Sequence, residues 1–180
     1  MLTDEVISEI EKLVPLAPLH NPGNLSGIRA AIAEFPSLTQ VAVFDTAFHQ
    51  TMPVSSYSYA IDANLAAQYG VRKYGFHGSS YAYVTAQAAE FLGKDLRDLN
   101  AIILHLGNGA SACAIKNGKS FDTSMGMSPL PGLVMGTRSG DIDPAIIFYL
   151  HNEAEMGFDE IDLLLNSQSG LQGLTGSGDL

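Results

Sequence analysis

Four features of the sequence carry residue types suited to chemistry on a phosphate group. Asp45 directly follows the apolar run 41–44, and His77 comes just before a predicted helix. Arg138 is set among small residues, and residues 105–109 read His-Leu-Gly-Asn-Gly. Phosphoryl transfer depends on positioning and on neutralising charge more than on covalent help. A carboxylate, an imidazole, a guanidinium and a turn of backbone N–H groups could together perform it.

Each of these features also has a plainer interpretation. Asp45 could cap its own loop, and His77 could be a simple turn residue. Arg138 could pair with Asp141 or Asp143, which follow it closely. The glycine turn could connect two core strands without binding anything. Residue types alone leave these alternatives open.

A hairpin is predicted to position the glycine turn. Residues 101–104 are apolar and rich in β-branched side chains, which predicts a buried strand, and 110–115 predicts a second strand. Asn117-Gly118 indicates a type I′ turn into a third strand at 119–121. Glycines on both sides of Asn108 allow positive φ angles and the close approach of a ligand without a Cβ in the way, and N–H groups in such a turn can form an anion-binding nest.

The rest of the chain is predicted to alternate helices with short strands. The helix at 81–92 should begin with Ser79 and Ser80 as caps and bury Val84, Ala88, Phe91 and Leu92. Residues 122–143 form a glycine-rich connection whose length is unusual unless it is functional. Other predicted helices lie at 4–14, 26–34, 62–69, 145–151 and 159–165 (capped by Asp159), strands at 41–44 and 57–61, and a loop at 167–180.

Composition narrows the classes of function. The chain has 180 residues, 46% hydrophobic, with a formal net charge of -10. Without a basic cluster, nucleic acid and anionic membranes are not expected partners. Cys113, the only cysteine, is expected to be an inert core thiol. The absence of a signal-like or membrane-spanning run predicts a cytoplasmic protein.

At these residues the sequence resembles the acetate kinase family. The similarity extends along nearly the whole chain, but it corresponds to only the central part of the family. Two matching stretches, 43–53 and 135–144, are long and specific. The matches, in the family's order, are Pro18–Pro22, Val43–Pro53, Tyr74–Ser80, His105–Ser111, Asp122–Gly126 and Met135–Pro144.

The resemblance implies an activity and a set of site residues. The reaction is acetate + ATP ⇌ acetyl phosphate + ADP, with Mg²⁺ and with ATP or ADP as the bound nucleotide. Asp45 resembles the catalytic aspartate, and His77 and Arg138 resemble the groups that stabilise the transition state. Residues matching the phosphate-binding loop or other contacts are His105, Leu106, Gly107, Asn108 and Gly109, with Asp179 near the nucleotide and His20 near the substrate. The metal ligands of the family have no matching positions here.

The resemblance also implies a fold. It predicts an α/β, ribonuclease-H-like architecture of the actin/hexokinase-like superfamily, with a mixed sheet flanked by helices and incomplete relative to the family. Residues 1–40 would be a helical segment from the first lobe, and 41–180 would carry the phosphate-binding hairpin. The sequence departs from the family at Tyr81, usually histidine, at Pro131, usually glutamate, and at Asp62, usually proline.

Several hypotheses follow. The first is an acetate kinase-type phosphotransferase acting on acetate, acetyl phosphate and ATP. The second is a catalytically incomplete fragment of such an enzyme, with weak or absent turnover by the isolated chain. The third is a sibling kinase acting on propionate or butyrate. A simple binding module explains least, since it leaves Asp45, His77 and Arg138 without a joint purpose. Exposed strand edges predict a homo-oligomer.

Overall fold

The computed structural model describes residues 1–17 and 20–179. The chain divides into two compact units, Met1–Phe44 and Asp45–Leu180. His20 belongs to the first unit, whereas Asp45, His77 and Arg138 belong to the second. In the described ranges, no helix has both the length and the apolar character that crossing a bilayer requires.

The first unit is helical. Thr3 caps its first helix, since its side-chain oxygen accepts a hydrogen bond from the Val6 amide at 3.4 Å. Pro18 and Leu19, within the matched stretch 18–22, lie outside the described residues. The helical segments are α1 (Asp4–Lys12), a 3₁₀ turn (Val14–Leu16) and α2 (Asn21–Glu34).

The second unit contains a three-stranded antiparallel sheet. Its strands are β1 (Ala101–Leu106), β2 (Ala110–Lys116) and β3 (Lys119–Thr123), in the order β1-β2-β3. The three predicted strands are confirmed. The turn between β2 and β3 has φ of 53° at Asn117 and 71° at Gly118, which a type I′ hairpin requires. In the described residues the sheet is antiparallel throughout, where a mixed sheet was expected.

Short helices surround this sheet. Asp62 and Gly70 cap the fourth helix as its sequence indicates, because Asp62 Oδ1 accepts from the Leu65 amide at 2.8 Å and Gly70 is left-handed. The helices are α3 (Val54–Tyr57), α4 (Ala63–Tyr69), α5 (Gly78–Phe91), α6 (Ala145–Glu153), α7 (Phe158–Ser167) and α8 (Gly170–Thr175), with 3₁₀ turns at Ala47–Thr51 and Leu96–Asp98.

The core of the second unit lies between α5 and the sheet. Tyr81, Ile103, Cys113 and Ile115 form one buried cluster, with Phe48 packed against it. Burial raises the pKa of the Cys113 thiol to about 11, and its place in this cluster confirms the predicted core position. A second cluster joins the end of the hairpin to the irregular segment 124–143. It consists of Ala110, Met125 and Met135, with Phe76 and Leu133 at its edge.

Helix α5 buries a different face from the predicted one. Its buried residues are Gly78, Tyr81, Thr85 and Ala89, whereas Phe91 is 90% exposed. Val84 and Leu92 are also exposed. The small side chains let the helix approach β1 closely, and Tyr81 fills the space between them. Contact with the sheet thus decides the buried face, which apolar spacing alone predicted wrongly.

Two predicted strands do not form. Val41 and Val43 are 65% and 80% exposed, and residues 41–44 pair with no strand in the described chain. The segment 57–61 begins as the end of α3 and continues without pairing. A strand needs a neighbour's backbone, so alternation without such a neighbour does not make one.

The end of the chain is more ordered than predicted. Helix α7 begins one residue before Asp159, and its cap is Gly157, whose amide donates to Glu160 Oε2 at 2.7 Å. Helix α8 replaces part of the predicted loop. The amides of Leu171 and Gln172 donate at 2.9 Å to the carbonyls of residues 135 and 136, so tertiary contacts stabilise a helix that its glycines disfavour.

Candidate active site

The start of α5 brings Asp45 and His77 together. The Asp45 carboxylate accepts hydrogen bonds from the His77 amide at 2.6 Å and the Ser79 amide at 3.4 Å. Its carbonyl accepts from the Gly78 amide at 2.8 Å. Asp45 therefore caps the helix, and the prediction that Ser79 and Ser80 would do so is wrong. His77 has φ of 58°, a left-handed conformation that a non-glycine residue adopts only where its surroundings hold it.

The His77 ring stacks on the ring of His105. Their centroids lie 3.9 Å apart, with 22° between the planes. His77 Nδ1 lies 2.8 Å from Ser111 Oγ, and His105 Nδ1 lies 2.9 Å from Ser80 Oγ. Each imidazole is anchored through Nδ1, so Nε2 is the nitrogen that faces away from its serine.

Arg138 is held without a carboxylate partner in the described residues. Its Nη1 donates to the Pro129 carbonyl at 3.4 Å, and no acidic side chain of residues 1–17 or 20–179 lies within ion-pair distance. Asp141 instead accepts from the Gly132 amide at 2.8 Å, and Asp143 from the Ala145 amide at 2.9 Å. The guanidinium thus keeps its charge and most of its donors for an anion.

The glycine turn is the place where these groups meet. A Cβ built on Gly109 would lie 3.3 Å from Arg138 Nη1 and 3.6 Å from His77 Nε2. Gly107 and Gly109 do not have positive φ, so this turn does not use that part of the freedom that glycine allows. A methyl group at Gly109 would be tight against the guanidinium of Arg138 and in contact with the His77 ring, so glycine keeps this space open.

A cavity of about 300 Å³ adjoins this turn. Leu106, Gly107 and Asn108 line one side, and Asp179 lies on another. Gly136 also lines it, and its amide donates to the Asn108 carbonyl at 3.0 Å. The structure therefore gathers most of the residues predicted to contact nucleotide around one space; their binding role stays a prediction, as does the role of His20.

Burial lowers the pKa of His77, and the neighbouring His105 lowers it further. Arg138 and His49 act in the same direction, whereas the Asp45 carboxylate opposes them. The ring is therefore neutral at physiological pH. A neutral imidazole can donate one hydrogen bond while a nearby arginine supplies the positive charge.

His49 fixes the loop that carries His77. It is 1% exposed, with Nδ1 2.8 Å from Ser120 Oγ and Nε2 2.9 Å from the Phe76 carbonyl. Because that carbonyl only accepts, Nε2 carries the proton and Nδ1 accepts from Ser120. The loop is thereby tied to β3 directly beside the site.

The buried His49 makes stability depend on pH. Burial lowers its pKa in the folded state, so below its ordinary value of about 6.5 the unfolded chain binds the proton more readily. The free energy of unfolding is therefore expected to be constant at higher pH and to fall as pH drops below that value. Urea titrations across this range should show a shallower fall for His49→Gln. His151→Gln, at an exposed position, is the control. If the free energy of unfolding of His49→Gln falls with pH as steeply as that of the wild type, His49 is not the source of the pH dependence.

The described residues offer little for a metal. No group of three or more His, Cys, Asp or Glu in residues 1–17 and 20–179 could hold an ion. Both Asp45 oxygens already accept amide hydrogen bonds. Mg²⁺ prefers one or two carboxylates together with phosphates and water, of which this site supplies at most one carboxylate. The described residues therefore supply no more than part of a Mg²⁺ site.

The fold is shared with solved structures of two kinases. The acetate kinase of Porphyromonas gingivalis matches with a TM-score of 0.93 and 50% identity, over 99% of this chain and 45% of that one. A propionate kinase from Francisella tularensis subsp. tularensis SCHU S4 matches with a TM-score of 0.95 and 50% identity, over 99% and 46%. The fold class is therefore the α/β, actin/hexokinase-like class of these enzymes.

Sequence comparison gives the family. A family model described as the Acetokinase family matches residues 1–180. Acetate kinases of Leifsonia xyli subsp. xyli and Clavibacter sepedonicus are 61% and 58% identical over 180 residues, covering all of this chain. The chain belongs to the acetokinase family. It spans 45% and 46% of the length of these two relatives.

Sequence reasoning missed two residues of the site. Ser111 and Tyr81 were not selected as candidates, although both are fully buried and Ser111 contacts the His77 ring. Their signal was weak: Ser111 was only one letter of a matching stretch, and Tyr81 was a departure from the family. Alternation along β2 places Ser111 opposite His105, a clue that the sequence contained.

Proposed function

We propose that the protein carrying this sequence is an acetate kinase-type phosphotransferase. The γ-phosphoryl group of ATP passes to an acetate oxygen: a new bond forms between that oxygen and phosphorus, and the bond to the β,γ-bridging oxygen breaks. The products are acetyl phosphate and ADP, and the reaction runs in both directions. Family membership supports the class of reaction.

The observation that carries the proposal is the convergence of His77 Nε2 and Arg138 Nη1 on Gly109. Charge on a transferring phosphoryl group spreads over its equatorial oxygens. Two donors fixed at one point beside an accessible turn are suited to bind those oxygens. They need no rearrangement at the moment of transfer, which is the main source of electrostatic catalysis.

Each residue then has a distinct role. Arg138 supplies positive charge and a fork of donors, and His77 donates from Nε2. Asp45 holds the His77 backbone in place and presents an exposed carboxylate beside it. Gly107, Asn108 and neighbouring main chain provide space for phosphates in the adjoining cavity. Bound Mg²⁺ would neutralise phosphate charge, with ligands that this chain is not proposed to supply by itself.

A hydroxamate assay for acetyl phosphate tests the proposal. The protein is incubated with ATP, Mg²⁺ and acetate, and each component is omitted in turn. Product that requires all three is expected. If no product forms and calorimetry detects no ATP binding, the proposal is refuted. ATP binding without product would favour the alternative that the site needs groups these 180 residues do not hold.

A second candidate is a kinase for a longer carboxylate. It is favoured by the equally strong structural match to a propionate kinase. One methylene contributes roughly 1–3 kcal/mol to discrimination in an apolar pocket. The ratio of kcat/KM for acetate to that for propionate, measured in the same assay, separates the two candidates.

The remaining expectations are part of the proposal. Its partners are acetate, acetyl phosphate and ATP, without nucleic acid or membrane. The net charge of -10 supports the exclusion of polyanionic partners. A cytoplasmic location and a homo-oligomer complete it, the latter supported by the exposed side chains of Ile102, Leu104 and Leu106 on the edge strand β1.

A further inference from the structure

Three side chains form a continuous hydrogen-bonded series behind the site. Ser111 Oγ lies 2.8 Å from His77 Nδ1 and also contacts the Tyr81 hydroxyl. Both Ser111 and Tyr81 are 0% exposed. Their hydrogens must therefore find partners within the protein, because an unpaired buried donor is costly.

The direction of these hydrogen bonds follows from their partners. Among the described residues, Ser111 Oγ is the hydrogen-bond partner of the buried Tyr81 hydroxyl. Burial raises the pKa of Tyr81, so the phenol keeps its proton. That proton has Ser111 Oγ as its acceptor. The Ser111 proton is then directed to the remaining partner, His77 Nδ1.

We propose that Tyr81 and Ser111 are positioning residues that hold His77 in the tautomer protonated at Nε2. The inference rests on the proposed function, in which Nε2 donates to the transferring phosphoryl group. With the opposite tautomer, Nδ1–H would donate to Ser111, and either the Ser111 proton or the Tyr81 proton would be left buried without an acceptor. Nε2 would then present a lone pair to the phosphate, and the negative phosphate oxygens would repel that lone pair.

The tautomer decides whether His77 presents a proton or a lone pair at Nε2. Nε2 is the nitrogen that faces Gly109, where Arg138 Nη1 also lies. Ser111 lies opposite His105 in the β1–β2 register, so the sheet itself sets its position. Tyr81 follows His77 by one turn of α5, so one helix carries both ends of the series. The charged and titratable groups facing His77 are Asp45, His49, His105 and Arg138.

The tautomer is measured directly by NMR. Two-bond ¹H–¹⁵N correlation spectra of ¹⁵N-histidine-labelled protein distinguish the two neutral forms and follow the His77 pKa. The wild type is expected to show Nε2–H alone above that pKa. Ser111→Ala should give a mixture of tautomers and a raised pKa, because the donor to the neutral ring is lost. Tyr81→Phe should act in the same direction with a smaller effect.

Matched variants separate this role from a structural one. Tyr83→Phe removes a hydroxyl from the exposed face of the same helix and should change nothing. The double variant Tyr81→Phe/Ser111→Ala removes both hydroxyls together, so no donor is orphaned if a single variant fails to fold. It should show the same mixture of tautomers as Ser111→Ala. A wild-type Nδ1–H tautomer, or variants that keep a pure Nε2–H ring, would overturn the proposal.

Activity distinguishes this inference from the proposed function. Ser111→Ala should lower kcat for acetyl phosphate about tenfold, with the acid limb of its pH profile shifted upward and KM for acetate little changed. If the wild type is active and its variants keep both the Nε2–H tautomer and the wild-type kcat, the positioning role of Tyr81 and Ser111 is refuted. The proposed function is then unaffected. If the protein shows the expected tautomers but neither turnover nor ATP binding, the positioning role is supported and the proposed function is refuted.

Discussion

Replacing Arg138 with alanine is expected to lower kcat for acetyl phosphate formation by about a thousandfold. The guanidinium meets His77 at Gly109 and has no carboxylate partner in the described chain. Its charge is thus available to the transferring phosphoryl group. Because it donates to only one carbonyl, at 3.4 Å, its removal should cost little folding free energy. Hydroxamate kinetics and thermal unfolding measure the two effects.

Arg97→Ala is the matched control for this prediction. Arg97 is also an arginine of the second unit, but it is exposed and paired with Asp95 at 3.0 Å. It should leave kcat unchanged, since exposed ion pairs contribute little. Equal losses of kcat in the two variants would contradict a role of Arg138 in phosphoryl transfer. So would a thousandfold loss of kcat in Arg138→Ala if that variant, unlike Arg97→Ala, is also unfolded.

Asp45→Asn is expected to lower kcat by at least about a hundredfold while the protein keeps its stability. Asparagine is as good a helix cap as aspartate, and its one oxygen can keep the shorter hydrogen bond, from the His77 amide, while the longer one from Ser79 is lost. What it lacks is the negative charge beside His77. Activity and urea unfolding of this variant therefore separate the charge from the cap.

Asp45→Ala removes both functions and provides the comparison. Its amide partners at His77 and Ser79 lose their acceptor, so about 1–2 kcal/mol of unfolding free energy should be lost as well. If Asp45→Asn retained full activity, or if its activity fell only in proportion to its stability, Asp45 would be a cap without a chemical role.

The sequence predicted those parts of the fold that depend on local signals. The hairpin was confirmed because Asn117 and Gly118 tolerate the positive φ that its turn needs. The caps at Thr3 and Gly70 are equally local, because a hydroxyl oxygen can accept from the first turn of a helix and glycine tolerates a left-handed end. The buried face of α5 was not predictable locally, because contact with the sheet selects Tyr81 and the small residues over Phe91.

The candidate site shows the same division. Motifs identified Asp45, His77 and Arg138, but no sequence pattern reveals that His77 and Arg138 meet at Gly109 or that Asp45 holds the His77 backbone. Gly109 does not use the positive φ that glycine allows, but it does permit the close approach of His77 and Arg138. Ser111 and Tyr81 escaped notice because hydroxyls in a strand and a helix have no distinctive spacing. Their partners come from different elements, and only the folded chain brings them together.

The most direct measurement is an ATP titration of the ¹⁵N-labelled protein followed by ¹H–¹⁵N correlation spectra. If phosphates bind beside the convergent donors, the largest shifts should fall on the amides of Gly107, Asn108 and Gly109 and on the Arg138 side chain. The Arg138→Ala variant should reduce them. The second unit has another cavity, of about 550 Å³, that Tyr59 helps to line. Shifts confined to that cavity, or no shifts at saturating ATP, would contradict the account.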